Sequence, residues 1–580
     1  MIKKLAGCIG EYKKESMLAP ILVTLEVVIE VFIPLLMADL IDLGINQGNM
    51  KIIVRYGIIL ICLGILSMSF GTGSGWFAAN ASSGFSKNLR KAMFYKVQDY
   101  SFANIDRFST ASIVTRLTTD VTNVQNSFQM IIRVAVRAPI MMTFSLIMAF
   151  SINRKLSLIF LAVIPFLGTG LYLVFRFAHP IFERVFKTYD KLNNVVQENL
   201  RGIRVVKSFV REDYEADKFK KVSESIFRDF SKAEKILAFN SPLMQTSVYT
   251  CMLLLSWFAA KMIVAGTMTT GELASLITYV MQILISLMML SMVFVMITIS
   301  RASAERIVEI LDEQSDIHNN MNPVREVKSG SITFDQVSFS YAKDRNKLCL
   351  SDINIDIKSG ETVGIIGGTG SSKTSLVQLI PRLYDVTEGS IRVGGVDVRD
   401  YDVKTLRNEV AMVLQKNVLF SGTIKENLSW GNENADEEEM IRVCRLAQAD
   451  EFIRSFPLGY DTYIEQGGAN VSGGQKQRLC IARALLKKPK ILILDDSTSA
   501  VDTKTDAMIR KAFREEIPDT TKLIIAQRIS SIDQADKIIV LDNGKINAIG
   551  THEELLKSNP IYQEVYNSQV KGEERHAVQE

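Results

Sequence analysis

The stretch from Thr362 to Ile380, TVGIIGGTGSSKTSLVQLI, combines an apolar run, a glycine-rich turn and the start of a helix pattern. A strand, a turn and a helix in this order present backbone N–H groups and a helix N-terminus to phosphate, with a lysine beside the β and γ charges. Lys373 and Thr374 hold the positions that contact phosphate and Mg²⁺. Ser372 stands where the pattern has glycine, so its Cβ would lie close to the phosphates. The predicted nucleotide contacts are Gly367, Gly368, Thr369, Gly370, Ser371, Ser372, Lys373, Thr374 and Ser375.

Around this loop, the second half of the chain alternates strand and helix patterns, beginning with SITFDQVSFSY at 331–341. The alternation predicts an α/β P-loop domain over 331–570, preceded by a polar linker over 316–330. The charged end of the chain, 571–580, is predicted to be a disordered tail.

The first half of the chain is dominated by apolar segments. Six of them lie at about 17–42, 52–82, 128–150, 156–178, 242–265 and 272–300. Most are long enough to cross a bilayer as helices of about 20 residues. The two long connections, 83–127 and 179–241, are rich in Lys and Arg, which places them in the cytoplasm as helices that continue beyond the membrane. We therefore predict an all-α, six-helix transmembrane domain over 1–315, in the plasma (inner) membrane.

The composition agrees with a chain that is part membrane and part cytosolic, with 47% hydrophobic residues and a mean hydropathy of +0.15 over 580 residues. A net charge of +4 creates no field that would attract nucleic acid. The six cysteines lack the paired spacing of zinc or redox motifs, so we expect them to be reduced and structural.

Four further motifs follow the loop in a fixed order. They are AMVLQKNVLFSGTIKENL at 411–428, NVSGGQKQRLCIARAL at 470–485, KILILDDSTSAVD at 490–502 and KLIIAQRISSI at 522–532. Together with the phosphate loop and FSY at 339–341, this set resembles the nucleotide-binding domain, or cassette, of ATP-binding cassette (ABC) transporters. The whole chain resembles a half-transporter of the exporter type, and the ordered motifs make that resemblance highly specific.

The resemblance implies ATP and Mg²⁺ as cofactors and gives several residues a role. Tyr341 would stack on adenine, and Thr374, Gln415 and Asp495 would contact Mg²⁺. In this family two cassettes meet head to tail, and each ATP lies between the phosphate loop of one chain and the signature motif of the other. The signature residues here are Val471, Ser472, Gly473, Gly474 and Gln475. Because they open a helix, their N–H groups can bind a γ-phosphate, and a second half-transporter is an expected partner.

Two residues depart from the family's catalytic pattern. Asp496 stands where the family has a glutamate that activates water, and displacing a base by about 1 Å can cost on the order of a hundredfold in rate. Gln527 replaces a histidine, and an amide cannot carry a proton or a positive charge. With Ser372, these departures fall on one half-site. We interpret the chain as the degenerate-site subunit of a heterodimeric exporter of the bacterial multidrug type, with hydrolysis mainly at the partner's site.

Two alternatives stay open at this level. The first is a homodimeric exporter in which Asp496 still serves as a carboxylate base and Gln527 imitates the shape of histidine. The second is an ATP-gated channel or regulatory subunit, which no sequence feature requires. The cargo is left open among small molecules, lipids and peptides, with an apolar or amphipathic compound expected.

Ionisable residues also lie within the predicted spans. Glu26 and Glu30 are four apart in the first span, and Arg133 and Arg137 have the same spacing in the third. We expect structural ion pairs across the helix bundle, with contact to substrate or a proton as the alternative. The sixth span carries methionines that suit either ordinary packing or a variable apolar cargo. They are Met281, Met288, Met289, Met292 and Met296.

The cytoplasmic connections resemble the coupling segments of the family. Arg107–Gln125 and Asn199–Glu215 are each expected to present a short helix to a cassette, and so to transmit closure around ATP to the spans.

Overall fold

The computed structural model describes residues 1–497 and 499–577, which form two compact units. The first unit contains Met1–Gln98 and Thr110–Glu313, and the second contains Asp99–Ser109 together with the chain from Gln314 onward. The predicted domain bounds place 99–109 in the membrane domain, whereas in the structure this segment packs with the second unit.

The first half of the chain is helical throughout. Its helices are α1 (Ile2–Gly7), α2 (Lys13–Asp39), α3 (Met50–Gln98), α4 (Phe102–Arg107), α5 (Thr110–Thr115), α6 (Val121–Ile152), α7 (Arg154–Arg201), α8 (Ile203–Ser208), α9 (Glu212–Leu237), α10 (Asn240–Val264) and α11 (Thr270–Asp312). Six helical stretches among the described residues are long and apolar enough to cross a membrane: Gly10–Ile45, Met50–Gln98, Thr110–Ile152, Arg154–Arg201, Glu212–Val264 and Thr270–Asp312. The prediction of six spans is confirmed.

Several of these helices are longer than a bilayer requires. The 49 residues of α3 extend about 73 Å, against a hydrocarbon core of about 30 Å. Helix α7 has 48 residues and is similar in length. The basic connections are thus helical extensions of the spans, as their charge and periodicity predicted.

One ion-pair cluster joins α2 to α6 inside the first unit. Arg137 places one guanidinium nitrogen 2.5 Å from Oε1 of Glu26 and another 2.7 Å from Oε2 of Glu30. Gly71 of α3 makes room for this cluster, because a Cβ there would lie 2.8 Å from Oε1 of Glu26. The predicted pairing of the third span with acidic groups is confirmed for Arg137. Arg133 makes no ion pair with any residue that the structure describes.

The described residues of the second unit form a six-stranded sheet, a four-stranded sheet and a two-stranded sheet. Its strands are β1 (Ile332–Phe339), β2 (Leu350–Ile357), β3 (Thr362–Gly367), β4 (Glu388–Val393), β5 (Val396–Asp397), β6 (Val410–Val413), β7 (Gly422–Thr423), β8 (Tyr463–Ile464), β9 (Ile491–Asp495), β10 (Thr521–Ile525), β11 (Lys537–Asp542) and β12 (Lys545–Gly550). The six-stranded sheet has the order β12-β11-β3-β10-β9-β6, the four-stranded antiparallel sheet has the order β2-β1-β4-β5, and the two-stranded sheet consists of β7 and β8. The α/β fold class is confirmed.

Helices cover the six-stranded sheet. They are α12 (Lys373–Gln378), α13 (Val403–Glu409), α14 (Ile424–Ser429), α15 (Glu437–Leu446), α16 (Asp450–Ser455), α17 (Gly473–Leu486), α18 (Thr503–Glu516), α19 (His552–Ser558) and α20 (Pro560–Ala577). Helix α20 includes the first seven residues of the segment predicted to be a disordered tail, and residues 578–580 lie outside the described part of the chain.

The parallel strands place the functional loops at one edge. Strands β3, β10 and β9 are parallel neighbours, so the loop after β3 and the carboxylates at the end of β9 lie on the same side of the sheet. This is the edge where open α/β sheets bind ligands.

A short helix from the first half of the chain docks on the second unit. Ser101 and Asn104 form a capping box at the start of α4, and the Asn104 side chain donates to the carbonyl of Gln314 at 3.0 Å. The hydroxyl of Tyr384 donates to Oδ2 of Asp106 at 2.6 Å. The docked helix therefore ends at Arg107, where the predicted coupling segment Arg107–Gln125 begins. From Thr110 onward that segment forms α5, a π-helical turn and the start of α6 in the first unit.

The Arg137 cluster generates a stability prediction. Substituting Arg137→Met leaves two carboxylates facing each other without a counter-ion, which we expect to lower the free energy of unfolding by about 3–5 kcal/mol. Thermal unfolding of the detergent-solubilised protein measures the loss. Adding Glu26→Gln and Glu30→Gln to this variant should restore most of the stability.

The matched control for this prediction is Arg133→Met on the same helix, which should cost less than about 1 kcal/mol because no buried pair is broken. Equal losses for the two arginine variants would contradict a stabilising role of the Arg137 cluster.

Candidate nucleotide-binding site

The loop after β3 has the shape of a phosphate cradle. At Gly367 a Cβ would lie 2.1 Å from the carbonyl oxygen of Leu541, so only glycine fits where the strand ends. Gly370 has a φ of 83°. At both Gly368 and Gly370, the space that a Cβ would occupy is open. The loop therefore has an open side on which backbone N–H groups can meet an anion.

Lys373 folds over this cradle. Its Nζ donates to the carbonyl oxygens of Gly367 and Gly368, both at 2.9 Å, and lies 3.3 Å from Oγ of Ser371. Burial lowers the pKa of Lys373, and Asp495 and Asp496 oppose that shift. A phosphate group in the cradle would supply the negative charge that this partly buried ammonium lacks.

Ser372 occupies a backbone conformation that favours glycine. Its φ is 68° and its ψ is 28°, in the left-handed region, and its side chain makes no capping bond to α12. A residue with a Cβ loses roughly 1–2 kcal/mol in that region relative to glycine. The departure seen in the sequence is thus a source of backbone strain in the loop.

Asp495 is placed to take part in a metal site. Thr374 donates its hydroxyl hydrogen to Oδ1 of Asp495 at 3.1 Å, while Oδ2 is buried and has no hydrogen-bond partner within the described residues. Burial raises the pKa of this carboxyl group, and the neighbouring Asp496 adds to the effect. A hydroxyl and an unsatisfied carboxylate oxygen are ligands that Mg²⁺ accepts together with phosphate oxygens, so these residues fit the ion. When bound, Mg²⁺ would neutralise charge on the β- and γ-phosphates.

Asp496 is held by two amide side chains. Nε2 of Gln527 donates to its Oδ2 at 2.7 Å, and the Gln415 side chain also hydrogen bonds to it. Burial raises the pKa of Asp496, and the two amides partly offset this rise. The structure therefore brings together all three residues that were predicted to act in hydrolysis, but the carboxylate is already engaged by its neighbours.

Tyr341 borders the loop from the four-stranded sheet. Its hydroxyl lies 2.8 Å from Oγ of Ser375, and its ring packs edge-on against Phe339 and Tyr384. Half of the Tyr341 side chain is exposed, which leaves ring surface free for a base. Tyr384 thus contacts both the predicted adenine platform and, through Asp106, the docked helix α4.

The signature motif forms the N-terminus of α17. Ser472 accepts a hydrogen bond from the N–H of Gln475 at 3.2 Å, and the Gln475 side chain accepts one from the N–H of Ser472 at 2.9 Å. Val471, which stands where the family's signature usually has leucine, packs against the apolar core. The N–H groups of Gly473 and Gly474 open the helix toward an external anion.

Two glutamines outside the predicted site residues position the site through backbone contacts. Oε1 of Gln477 accepts from the N–H of Ala500 at 3.0 Å and so ties the loop after β9 to the signature helix. Gln569 of α20 donates to the carbonyl of Gln527 at 2.8 Å and accepts from the N–H of Ile529 at 2.9 Å. Glutamines in helices carry no motif, so no signal in a single sequence marks them.

Comparison with known proteins places these features in context. The family model for the ABC transporter transmembrane region matches residues 16–288, and the model for the ABC transporter matches residues 350–499. An uncharacterised ABC transporter ATP-binding protein of Bacillus subtilis, YfiB, is 37% identical over 568 residues, which cover 98% of each chain. The ATP-dependent lipid A-core flippase of Desulfotalea psychrophila is 35% identical over 83% of this chain and 84% of its own length.

A solved structure agrees with the fold. The structure of a bacterial Atm1-family ABC exporter with ATP bound matches with a TM-score of 0.83 and 24% identity, over 96% of this chain and 99% of that chain.

The orphaned oxygen of Asp495 generates a prediction in which stability and binding change in opposite directions. Asp495→Asn removes a buried charge, so the protein without nucleotide should gain on the order of 1 kcal/mol in free energy of unfolding at pH 7. The same variant should lose most of the additional stabilisation by ATP that depends on Mg²⁺. Thermal unfolding with and without Mg²⁺ and ATP measures both effects, and a destabilised nucleotide-free variant would contradict this account of Asp495.

The strained loop generates a second prediction. Ser372→Gly should raise the free energy of unfolding by about 0.5–1 kcal/mol, because relief of the left-handed strain exceeds the entropy that glycine adds to the unfolded chain. Ser371→Gly, one residue earlier, is the control and should be neutral or destabilising. The account of Ser372 fails if its glycine variant is the less stable protein in thermal unfolding.

Proposed function

Because the chain belongs to the ABC transporter family, with a membrane unit and an ATP-binding unit in one polypeptide, we propose that it is one half of a heterodimeric exporter. The ATP site built on its own Lys373 binds nucleotide but hydrolyses it slowly. Its signature helix completes the partner's site, where most hydrolysis takes place. The complex moves an apolar or amphipathic compound outward across the plasma membrane.

The observation that carries this proposal is the engaged state of Asp496. A general base must reach its water within hydrogen-bond distance, and this carboxylate is one methylene shorter than glutamate. Gln527 holds its Oδ2 at 2.7 Å, on the side where the family has a histidine. An amide neither takes up a proton nor carries a positive charge, so the pair is poorly suited to hydrolysis.

The binding features support a site that still holds ATP. Lys373, the open cradle and the unsatisfied oxygen of Asp495 together offer a cation, N–H donors and a ligand for Mg²⁺. The strain at Ser372 weakens this set without removing any donor. Binding with little cleavage is the expected outcome.

The signature helix supports the second part of the proposal. Its capping box is complete, and Gln477 fixes it to the loop at Ala500 that, in this family, crosses to the opposite cassette. Nothing in this helix departs from what a γ-phosphate donor set requires. The two ATP sites of the complex would therefore differ in catalytic competence.

Exposed apolar surfaces support an assembly of two chains. Helix α8 packs against α7 and α9, yet Phe209 and Val210 at its end are 73% and 81% exposed. On the cassette, Phe420 and Trp430 stack at 4.3 Å beside a groove of about 340 Å³ and are 44% and 65% exposed. We propose that the groove on each cassette binds the α8 region of the other chain. Soluble proteins rarely expose large apolar side chains of this kind in contiguous patches unless a partner covers them.

The cargo is proposed from the character of the membrane unit. The side chains of Met281, Met288 and Met292 are exposed along α11, and flexible thioethers adapt to apolar ligands of varied shape. A related protein is named as a lipid A-core flippase, which agrees with an amphipathic cargo for this group of exporters.

Two substitutions in this chain should affect the ATPase rate of the complex to very different extents. The exporter is purified from its native membranes through a tag on this chain, so that its partner is retained. Asp496→Asn should change the ATPase rate of the complex less than about twofold, because the site was already slow. Gly473→Asp places a carboxylate in the signature and should lower the rate on the order of a hundredfold, because it damages the competent site.

The homodimeric alternative predicts a different result. If two copies of this chain hydrolyse ATP with Asp496 as the base, Asp496→Asn must abolish turnover as fully as Gly473→Asp does. That outcome, in a preparation that contains only this chain, would overturn the proposed heterodimer.

A further inference from the structure

A lysine lies inside the central sheet, away from the nucleotide site. Lys522 is the second residue of β10, between β3 and β9, and only 3% of it is exposed. Successive residues of a strand point to opposite faces, so Lys522 and Ile524 share a face. Ile524 belongs to the core cluster that includes Ile509 and Phe513 of α18. The Lys522 side chain therefore lies beneath α18, at the end of the strand opposite the phosphate loop.

Lys522 lines a cavity of about 60 Å³ under α18, which we call the β10 cavity. The other lining residues that matter here are Arg510, Arg514, Ser531, Gln534 and Asp536. Since one water needs about 10–15 Å³ by this kind of measure, the cavity has room for a small polyatomic ion. It adjoins a second cavity of about 360 Å³, with which it shares Arg510, Arg514 and Gln534.

The cations of the β10 cavity are incompletely neutralised. No hydrogen bond or ion pair joins Nζ of Lys522 to any residue in the described part of the chain. The Arg514 guanidinium donates to the neutral amide oxygen of Gln534. Among the described residues, Arg510 is the one cation of this cavity that forms ion pairs, with Asp506 at 3.2 Å and Asp533 at 3.5 Å.

The acidic group of the cavity is engaged elsewhere. Oδ2 of Asp536 accepts from the N–H of Thr362 at 2.8 Å, and Asp536 lies beyond ion-pair distance of Lys522. Burial lowers the pKa of Lys522, the charges of Asp536 and Asp519 oppose this shift, and the charge of Arg514 adds to it. An anion between Lys522 and Arg514 would relieve that cost.

We propose that the β10 cavity binds a phosphate group, either as the free ion or on a small phosphate ester. A tetrahedral oxyanion offers acceptors to an ammonium and a guanidinium at once, and these are the side chains that bind phosphate most strongly. The adjoining cavity is placed to take the organic part of an ester. The site is separate from the ATP site, which lies at the opposite edge of the sheet, and the bound group would fix α18 to β10.

The test is thermal unfolding of the full-length exporter in phosphate and in chloride at equal ionic strength. The phosphate loop could also bind the ion, so all proteins carry Lys373→Met. Phosphate should raise the unfolding temperature of this background saturably, by about 1–3 °C at ten times the dissociation constant. Lys522→Met should abolish the rise while the protein stays folded, because methionine suits the apolar face. Arg514→Gln should reduce the rise.

Controls and probes make the outcome decisive. Lys504→Gln alters an exposed lysine of α18 that is outside the lining of both cavities, and it should keep the full rise. Glycerol phosphate is titrated in parallel: a larger rise than with phosphate assigns the site to an ester, and an equal rise assigns it to the free ion. If Lys522→Met fails to fold, the comparison of Arg514→Gln with Lys504→Gln decides. No rise in the background protein, or a rise that survives Lys522→Met, overturns the proposal.

Discussion

The hydrogen bond from Gln527 to Asp496, 2.7 Å long, joins the two positions at which a cassette needs a base and a proton-carrying partner. Gln415 binds the same carboxylate, so the three side chains hold one another in place. Gln569 of the last helix donates to the carbonyl of Gln527 and accepts from the N–H of Ile529, and so holds the backbone that carries Gln527. The two glutamine amides supply hydrogen bonds to this carboxylate without exchanging protons.

In the proposed function, the remaining features of the cassette would support ATP binding without supporting ATP hydrolysis. Lys373 and Asp495 keep the charge and the free oxygen that a nucleotide with its metal ion would use. The signature helix is fully capped and anchored to the loop before α18. In the proposed heterodimer, this chain therefore contributes its binding surfaces to both ATP sites but catalytic groups to neither. In the same proposal, Tyr384 would connect binding of the base to α4, since it contacts both Tyr341 and Asp106.

Much of this architecture could be predicted from the sequence, because the deciding signals are local. Apolar length predicted the six spans, and the strand, turn and helix around Lys373 predicted the α/β unit. The pairing of Arg137 with Glu26 and Glu30 followed from the cost of charge inside a membrane. The helix that contacts the cassette was expected within Arg107–Gln125, whereas α4 ends at Arg107. Its position depends on contacts with Tyr384 and Gln314, which the spacing of residues does not predict. Lys522 gave no signal either, because one lysine in TKLII is equally consistent with an exposed strand end.

The most direct measurement is the state of the nucleotide held by this chain during turnover. The native complex is given photoreactive 8-azido-ATP with the label on either the γ- or the α-phosphate, and the base is cross-linked near Tyr341. The account predicts that this chain retains γ label and α label equally, whereas its partner retains only α label. Loss of the γ label from this chain at the rate of overall turnover would contradict it.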